Sequence, residues 1–309
     1  MNILITGATG FIGKNLVHYL QKENELFFLV RPTTDRKLLK EENTIEFTDD
    51  IIFLSQYLKK NRIEGIVHLA SLYVKEHTTK QVKDIILSNI YLGTALLEAC
   101  KLSDVKWFLN TGSIWQNYNV DDFSEEYCPV NLYAASKQAF ITMAKYYTET
   151  SSIRFCTLKL CDTFGNNDTR KKIFALFDSI VATGETLDMT KGEQLMDILN
   201  IEDVVKGFYQ LIQQLHQGKN SRQEYVLTSG HQIKLKDLAK IYEIRNNVKL
   251  NINWGKRSYN SREVMRPYVG VKLEGWQPEN LSHLGILTGG GDYQSIKCYA
   301  TSLYYKEVA

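Results

Sequence analysis

The chain lacks most of the features that mark a secreted, metal-binding or membrane protein. Its five cysteines (Cys100, Cys128, Cys156, Cys161 and Cys298) are odd in number and show no C-x-x-C spacing. Neither a disulfide framework nor a zinc site is expected, and small buried thiols in a reducing cytoplasm are. The six histidines form no H-x-H or H-E-x-x-H pair, so no metal is expected. No apolar run approaches the length of a bilayer span. An excess of either charge is missing too: 37 basic residues against 35 acidic ones leave a net charge of +2. That balance gives no reason to expect nucleic acid or an anionic membrane as partner. Only four prolines interrupt 309 residues, of which 44% are apolar. Long uninterrupted elements around a sizeable core follow, and the length suits a layered core plus a smaller lobe.

Met1 is followed at once by the apolar run Ile3, Leu4, Ile5 and then by glycines, which reads as a first strand rather than a signal peptide. Short apolar runs at 2–5, 26–30, 44–47, 65–70, 105–110 and 153–160 alternate with helical patterns at 12–20, 51–60, 82–101 and 134–148. Strand and helix alternating at this spacing predict an α/β fold, a doubly wound parallel sheet with helices on its faces. After about Asp162 the rhythm loosens. Helical patterns at 171–183, 202–216 and 236–244 are separated by strands expected at 225–228 and 248–252. The reading is a core over 1–161 and a smaller lobe over 162–309, with 198–228 returning to the core. From Gly289 onward a loop and then a helix are expected.

Gly7-Ala8-Thr9-Gly10-Phe11-Ile12-Gly13 sits between the first strand and the first helix. A dinucleotide needs that placement. The strand must turn sharply, the backbone must approach a pyrophosphate, and the helix N-terminus must offer unpaired N–H groups to it. The spacing is G-x-x-G-x-x-G rather than the commoner G-x-G-x-x-G. At the end of the second strand an acid would accept hydrogen bonds from the ribose 2′-hydroxyl of NAD and repel the 2′-phosphate of NADP. Here the strand runs into Arg31-Pro32-Thr33-Thr34, with Arg36 and Lys37 close behind. Arg31 can hold a phosphate through two N–H groups, so NADP is the expected cofactor.

Tyr133 and Lys137 stand four residues apart in Tyr133-Ala134-Ala135-Ser136-Lys137, which on a helix places them on one face. A lysine cation beside a phenol is expected to bring its pKa down toward the working range. Upstream, Phe108-Leu109-Asn110-Thr111-Gly112-Ser113 ends a strand where the Ser113 hydroxyl can meet the same substrate oxygen as Tyr133. His68 reads as strand-end packing rather than as a catalyst, and Tyr146 and Tyr147 as residues of a helix–helix contact.

Taken in order, these segments resemble the extended short-chain dehydrogenase/reductases, the NAD-dependent epimerase/dehydratase family. The glycine loop, Asp50-Ile51, His68-Leu69-Ala70-Ser71, Asn89-Ile90-Tyr91-Leu92-Gly93-Thr94, Ser113, Tyr133 with Lys137, Phe164-Gly165, Gly192-Glu193-Gln194 with Asp197, Glu202-Asp203-Val204 and Gly275-Trp276-Gln277-Pro278 carry the likeness. It implies a Rossmann core and a C-terminal substrate-binding lobe for a nucleotide-sugar. It also implies a homodimer built on helices 82–101 and 134–148. The catalytic set would be Ser113, Tyr133 and Lys137. Cofactor contacts would come from Gly7, Thr9, Gly10, Phe11, Ile12, Asp50, Ile51, Leu69, Ala70, Ser71, Asn89, Tyr133 and Lys137, joined by Arg31. Substrate contacts would come from Ser113, Trp115, Asp162, Arg257 and Arg262.

Within the family, the segments at 65–70 and 108–118 are most similar to the CDP-abequose and CDP-paratose synthases. Those enzymes are NADPH-dependent reductases of nucleotide-linked 4-keto-6-deoxyhexoses in bacterial-type surface-glycan sugar biosynthesis. The rival expectations are an NAD-dependent nucleotide-sugar 4-epimerase and a non-catalytic dinucleotide sensor. Two departures from the family pattern stand out. Met196 occupies the place of an arginine that contacts the substrate pyrophosphate, so that cationic role would pass to Arg257, Arg262 or Arg266, and Asn166-Asn167-Asp168 replaces Pro-Gly-Asp. In the family's dehydratases an Asp-Glu pair follows the catalytic threonine. Here Ile114 and Trp115 follow Ser113, so elimination at C5 and C6 is not expected.

Overall fold

The computed structural model describes residues 1–37, 39–166 and 168–281. Asn167, Cys298 and the loop and helix expected from Gly289 onward lie outside the described residues. The chain divides into two compact units. One comprises Met1–Cys161, Val204–Leu227 and Tyr268–Trp276, and the other Asp162–Asp203, Thr228–Pro267 and the remainder from Gln277.

In the first unit, seven parallel strands form one sheet: β1 (Asn2–Thr6), β2 (Glu25–Val30), β3 (Thr44–Glu46), β4 (Gly65–His68), β5 (Trp107–Ser113), β6 (Arg154–Leu160) and, from later in the chain, Glu224–Leu227. Their spatial order is Glu224–Leu227, β6, β5, β4, β1, β2, β3. Chain order therefore reverses direction beside β1, as in a doubly wound Rossmann sheet. The helices between strands are α1 (Phe11–Leu20), α2 (Ile51–Lys60), α3 (Val82–Ile86), α4 (Leu92–Lys101) and α5 (Leu132–Thr150). The strands read as continuous apolar runs because both faces are covered, and Ile3, Leu4 and Ile5 are fully buried. One face of the sheet packs Leu4, Phe27, Ile66 and Phe108 against Leu54 and Leu58 of α2, Leu96 and Leu97 of α4, and Phe140 of α5. The expected α/β Rossmann class is the observed one.

Two local features differ from the sequence pattern. The fifth strand starts at Trp107 and runs on to Ser113, paired with β6 throughout, so Ser113 stands at the strand's very end. The helix expected over 82–101 is interrupted by a π turn at Leu87–Tyr91. Such a widened turn shifts side-chain register and recurs at functional sites. Here it carries Asn89, which is 1% exposed.

The second unit holds β7 (Asp162–Phe164), α6 (Ile173–Thr183), β8 (Leu187–Met189) and β9 (Leu195–Asn200). It also contains the first residues of α7 (Ile201–Gln217). In chain order, β10 is Glu224–Leu227 of the first unit. Then come β11 (Gln232–Lys234), α8 (Leu235–Asn246) and β12 (Ile252–Trp254) of the second. β9 lies between β11 and β7, and β12 pairs with β8. The last strand is Ile252–Trp254 rather than 248–252, because Leu250 is drawn into the apolar cluster of this unit instead. α7 buries Val204, Val205, Phe208, Leu211, Ile212 and Leu215, the three-and-four spacing of an amphipathic helix.

Candidate active site

The glycine loop is shaped by close approach. Gly7 has φ +70°, and a Cβ there would lie 2.7 Å from the Ala70 backbone nitrogen. A Cβ on Gly13 would lie 2.2 Å from the Gly7 carbonyl oxygen. The loop is therefore pressed onto the end of β4, and α1 is seated tightly over it. Gly10 is the N-cap residue of α1, whose first turn holds no acid. The N-terminal N–H groups thus present a positive dipole end beside a cradle that side chains would fill. Thr9, Phe11 and Ile12 are half-buried around it. This is the fit a dinucleotide pyrophosphate requires.

The ends of β1 and β4 are tied together. The Ala70 N–H donates to Thr6 Oγ1 at 3.0 Å, the Leu69 N–H donates to the Thr6 carbonyl at 3.2 Å, and Thr6 Oγ1 meets His68 Nδ1 at 2.9 Å. His68 is fully buried between the rings of Phe108 and Phe140. Burial, and then the nearby Lys137 charge, push its pKa down to about 3. It is a neutral packing residue.

Asn89 uses its whole amide on protein. Its Oδ1 accepts from the Leu72 N–H at 2.7 Å and the Ser71 hydroxyl at 3.1 Å. Its Nδ2 donates to the Leu72 carbonyl at 3.1 Å and to Ser136 Oγ at 2.9 Å. An amide offers two acceptor and two donor positions, and all four are taken. Asn89, expected as a cofactor contact, clamps the loop after β4 to α5 through these bonds. Asp50 is likewise engaged, since its Oδ1 caps α2 by accepting the Phe53 N–H at 2.8 Å. Ile51 packs at the edge of the core.

Arg31 is exposed at the tip of β2, where its backbone exchanges hydrogen bonds with Thr34. Among the described residues its guanidinium has no ion-pair partner. Arg36 is held by Glu46 of β3, and Lys37 lies 4.0 Å from Asp35.

Asn131 caps α5, accepting the Ala134 N–H at 3.0 Å, so Tyr133 and Lys137 fall in its first turns. Lys137 is 3% exposed, and no carboxylate pairs with it among the described residues. Burial holds its pKa down, to about 8. The Tyr133 phenol does not show the expected depression. Burial raises it, the neighbouring Tyr73 raises it further, and only an interaction with the Ser71 hydroxyl opposes this. Desolvation sets the direction, since taking the phenol out of water disfavours its charged form. The phenol is therefore a protonated group.

Ser113 begins a short turn (Ile114–Gln116), with its Oγ accepting the Trp115 N–H at 3.3 Å. That turn is joined to α5 by Gln116 Nε2 donating to Gln138 Oε1 at 2.8 Å. The Trp115 ring lies 5.8 Å from Tyr73, which lies 5.1 Å from Tyr133. The strand end bearing Ser113 is thus brought to the helix bearing Tyr133 and Lys137. Tyr73 had no sequence signal, being a single aromatic in an aperiodic loop. Tyr147 is buried between helices with Glu98 beside it, and Tyr146 is exposed under Lys101.

The remaining candidates belong to the second unit. Asp162 opens β7 and is ion-paired with Lys172 at 3.0 Å. Arg257 and Arg262 are exposed on the stretch after β12, with the Arg257 N–H donating to the Met189 carbonyl at 3.1 Å. Met196 on β9 packs on the apolar cluster of this unit. No group of three or more metal-ligating residues occurs among the described residues, and no described helix is long and apolar enough to cross a membrane.

The sequence profile of the NAD dependent epimerase/dehydratase family matches residues 3–227. The chain belongs to that family. It is 28% identical over 292 residues to a CDP-abequose synthase of Salmonella muenchen, covering 92% of this chain and 95% of the relative. In structure it is similar to a UDP-glucose 4-epimerase of Thermotoga maritima solved with UDP-glucose. The TM-score is 0.77 at 18% identity, covering 98% of this chain and 100% of the other. It is also similar to a UDP-glucuronic acid 4-epimerase of Bacillus cereus solved with UDP-glucuronic acid and NAD. There the TM-score is 0.73 at 19% identity, with both chains fully covered. These structural likenesses establish the shared fold. The chain is an enzyme of the NAD-dependent epimerase/dehydratase family, of the short-chain dehydrogenase/reductase type.

Proposed function

We propose that the chain is an NADPH-dependent reductase of the C4 ketone in a nucleoside-diphosphate 4-keto-6-deoxyhexose, with cytidine-diphosphate sugars the first to test. The observation that carries the reading is a protonated, half-buried phenol at Tyr133 on the same face of α5 as the buried Lys137, whose charge no described carboxylate neutralises. An uncompensated buried cation is costly, and a binding site for hydroxyl- and phosphate-bearing ligands gives it partners. The relatives named as CDP-abequose synthases, which align over most of the chain, support the substrate class.

The cofactor supplies the hydride when bound. The glycine cradle and the bare N-terminus of α1 hold its pyrophosphate, Arg31 takes the 2′-phosphate that distinguishes NADP from NAD, and Lys137 holds the nicotinamide ribose. Tyr133 gives its proton to the oxygen developing at C4. Ser113 accepts the Trp115 N–H, which leaves its own O–H to donate to the same oxygen. Hydrogen bonds aimed at a developing charge are worth most in a site that excludes water. In this chain Ile114 is buried and Trp115 is aromatic, so the turn after Ser113 provides no acid–base pair to remove the C5 proton and expel the C6 hydroxyl.

Two incubations test the reading. With a 4-keto-6-deoxyhexose nucleotide and NADPH, absorbance at the reduced nicotinamide band falls in step with product. With nucleotide-linked hexoses that keep the C6 hydroxyl and no reductant, no 4-keto-6-deoxy product forms, and its accumulation overturns the assignment. The exposed apolar residues Ile86, Leu87, Met143 and Tyr146 fit the expected pairing of two copies through α3, α4 and α5.

A further inference from the structure

Three aromatic rings from three separate segments meet in the first unit. Tyr73 comes from the loop after β4, Trp115 from the turn after β5, and Tyr133 from the first turn of α5. Tyr73 stands edge-on to Tyr133 with ring centres 5.1 Å apart and planes at 80°, and tilts against Trp115 at 5.8 Å and 51°. The cluster is not core. Tyr73 is 45% exposed, and the other two rings are half-buried.

The loop that carries Tyr73 is nevertheless held on both sides. Leu72, just before it, exchanges two hydrogen bonds with the Asn89 amide. Lys75, just after it, accepts from Asn131 Nδ2 at 2.9 Å, and Asn131 is itself the cap of α5. A part-exposed side chain on a backbone fixed at two points needs little further loop ordering when a ligand arrives, which is how preorganised recognition surfaces are built.

A ligand for this surface must suit π faces and lie within reach of the Tyr133 hydroxyl. A pyranose ring does both. Its axial C–H groups carry slight positive charge and match the negative face of an aromatic ring. Its C4 carbon carries the ketone oxygen that Tyr133 must protonate. The nucleotide base could stack as well, but it lies a diphosphate and a ribose away from that carbon. We propose that Tyr73 is a specificity-determining residue. Together with Trp115 it forms the wall on which the apolar C–H face of the hexose rests, presenting the ketone to Tyr133. The inference rests on the reductase reading above.

The test compares binding with turnover. In the unmodified protein, calorimetry gives tighter binding for CDP-4-keto-6-deoxyglucose than for CDP alone. In Tyr73→Ala that gap shrinks by about five- to tenfold, while the affinities for CDP and for NADPH stay as they were. Tyr73→Phe, which keeps the ring, restores the gap. In steady state the loss in Tyr73→Ala falls on KM more than on kcat. A gap unchanged in Tyr73→Ala overturns the proposal, as does an equal loss of affinity for CDP. If the unmodified protein oxidises no NADPH with keto-sugars, the reductase reading falls, and the binding gap still decides whether Tyr73 is a sugar wall.

Discussion

The two units hold their candidate residues in different ways. In the first, the groups around Tyr133 stand at the end of a strand or in the first turns of a helix and are held there by neighbouring residues. Thr6 ties the ends of β1 and β4, Asn89 clamps the loop bearing Ser71, and Asn131 caps the helix bearing Tyr133 and Lys137. In the second unit, Arg257 and Arg262 stand exposed on an irregular stretch, and the place of the family arginine is taken by Met196, packed among apolar side chains. Proton transfer tolerates little misplacement, so its groups are built on rigid elements. Substrate choice varies between relatives, so its groups sit where the chain can change without disturbing the fold. The comparison predicts that substitutions at Tyr133 and Lys137 in the first unit strike the chemical step, whereas substitutions at Arg257 and Arg262 in the second strike substrate affinity.

The largest effect is expected at Tyr133. Tyr133→Phe keeps the ring and removes the proton donor, so kcat falls by about 10²–10⁴ while NADPH titrated by fluorescence binds as before. Near-normal turnover would erase the proposed division of labour. Next comes Arg31→Asp, which sets a carboxylate where the 2′-phosphate is expected. The apparent constant for NADPH rises roughly 10- to 100-fold, with NADH little affected. Better use of NADH by the unmodified protein contradicts the assignment.

Much of the first unit could be read in advance because its signals are dense. The glycine loop, the apolar strands and the Tyr133/Lys137 spacing each follow from a local rule. Ser113 was legible as a strand-end residue, although the strand runs three residues beyond 110 before it stops there. The π turn was not, since no residue type encodes one, and it carries the Asn89 amide that clamps the loop after β4. The raised phenol of Tyr133 was not legible for a physical reason, because a sequence gives the lysine four residues on but not the burial that raises the group. In the second unit β8 and β11 have three residues each, too few to establish an alternation. No pattern marked Tyr268–Trp276 as a second segment joining the first unit.

Two further substitutions sharpen the contrast. Arg257→Ala is expected to raise KM for the nucleotide-sugar by roughly tenfold with kcat unchanged. A fall in kcat instead would place Arg257 in the chemical step. Lys137→Met separates stability from function within the first unit. Burial lowers the Lys137 pKa from 10.5 to about 8, so the folded state disfavours the charged form. The resulting cost, on the order of 3 kcal/mol, is fully present below pH 8. It shrinks as pH rises toward 10.5 and vanishes above that. Lys137→Met should therefore melt several degrees higher than the unmodified protein at pH 7 and lose this advantage by pH 10.5, while turnover collapses. In the unmodified protein, NADPH affinity should decline as pH rises through about 8 and Lys137 loses its charge. A variant melting lower at pH 7 would mean that Lys137 is paired.

The most direct test follows the hydride itself. NADPH carrying deuterium at the transferable position of the nicotinamide is incubated with the protein and CDP-4-keto-6-deoxyglucose, and the product is read by NMR. The account predicts one deuterium at C4 of the product, with one oxidised cofactor formed per sugar and no solvent label at C5. Deuterium remaining on the cofactor, or return of the label with no net oxidation, would contradict it.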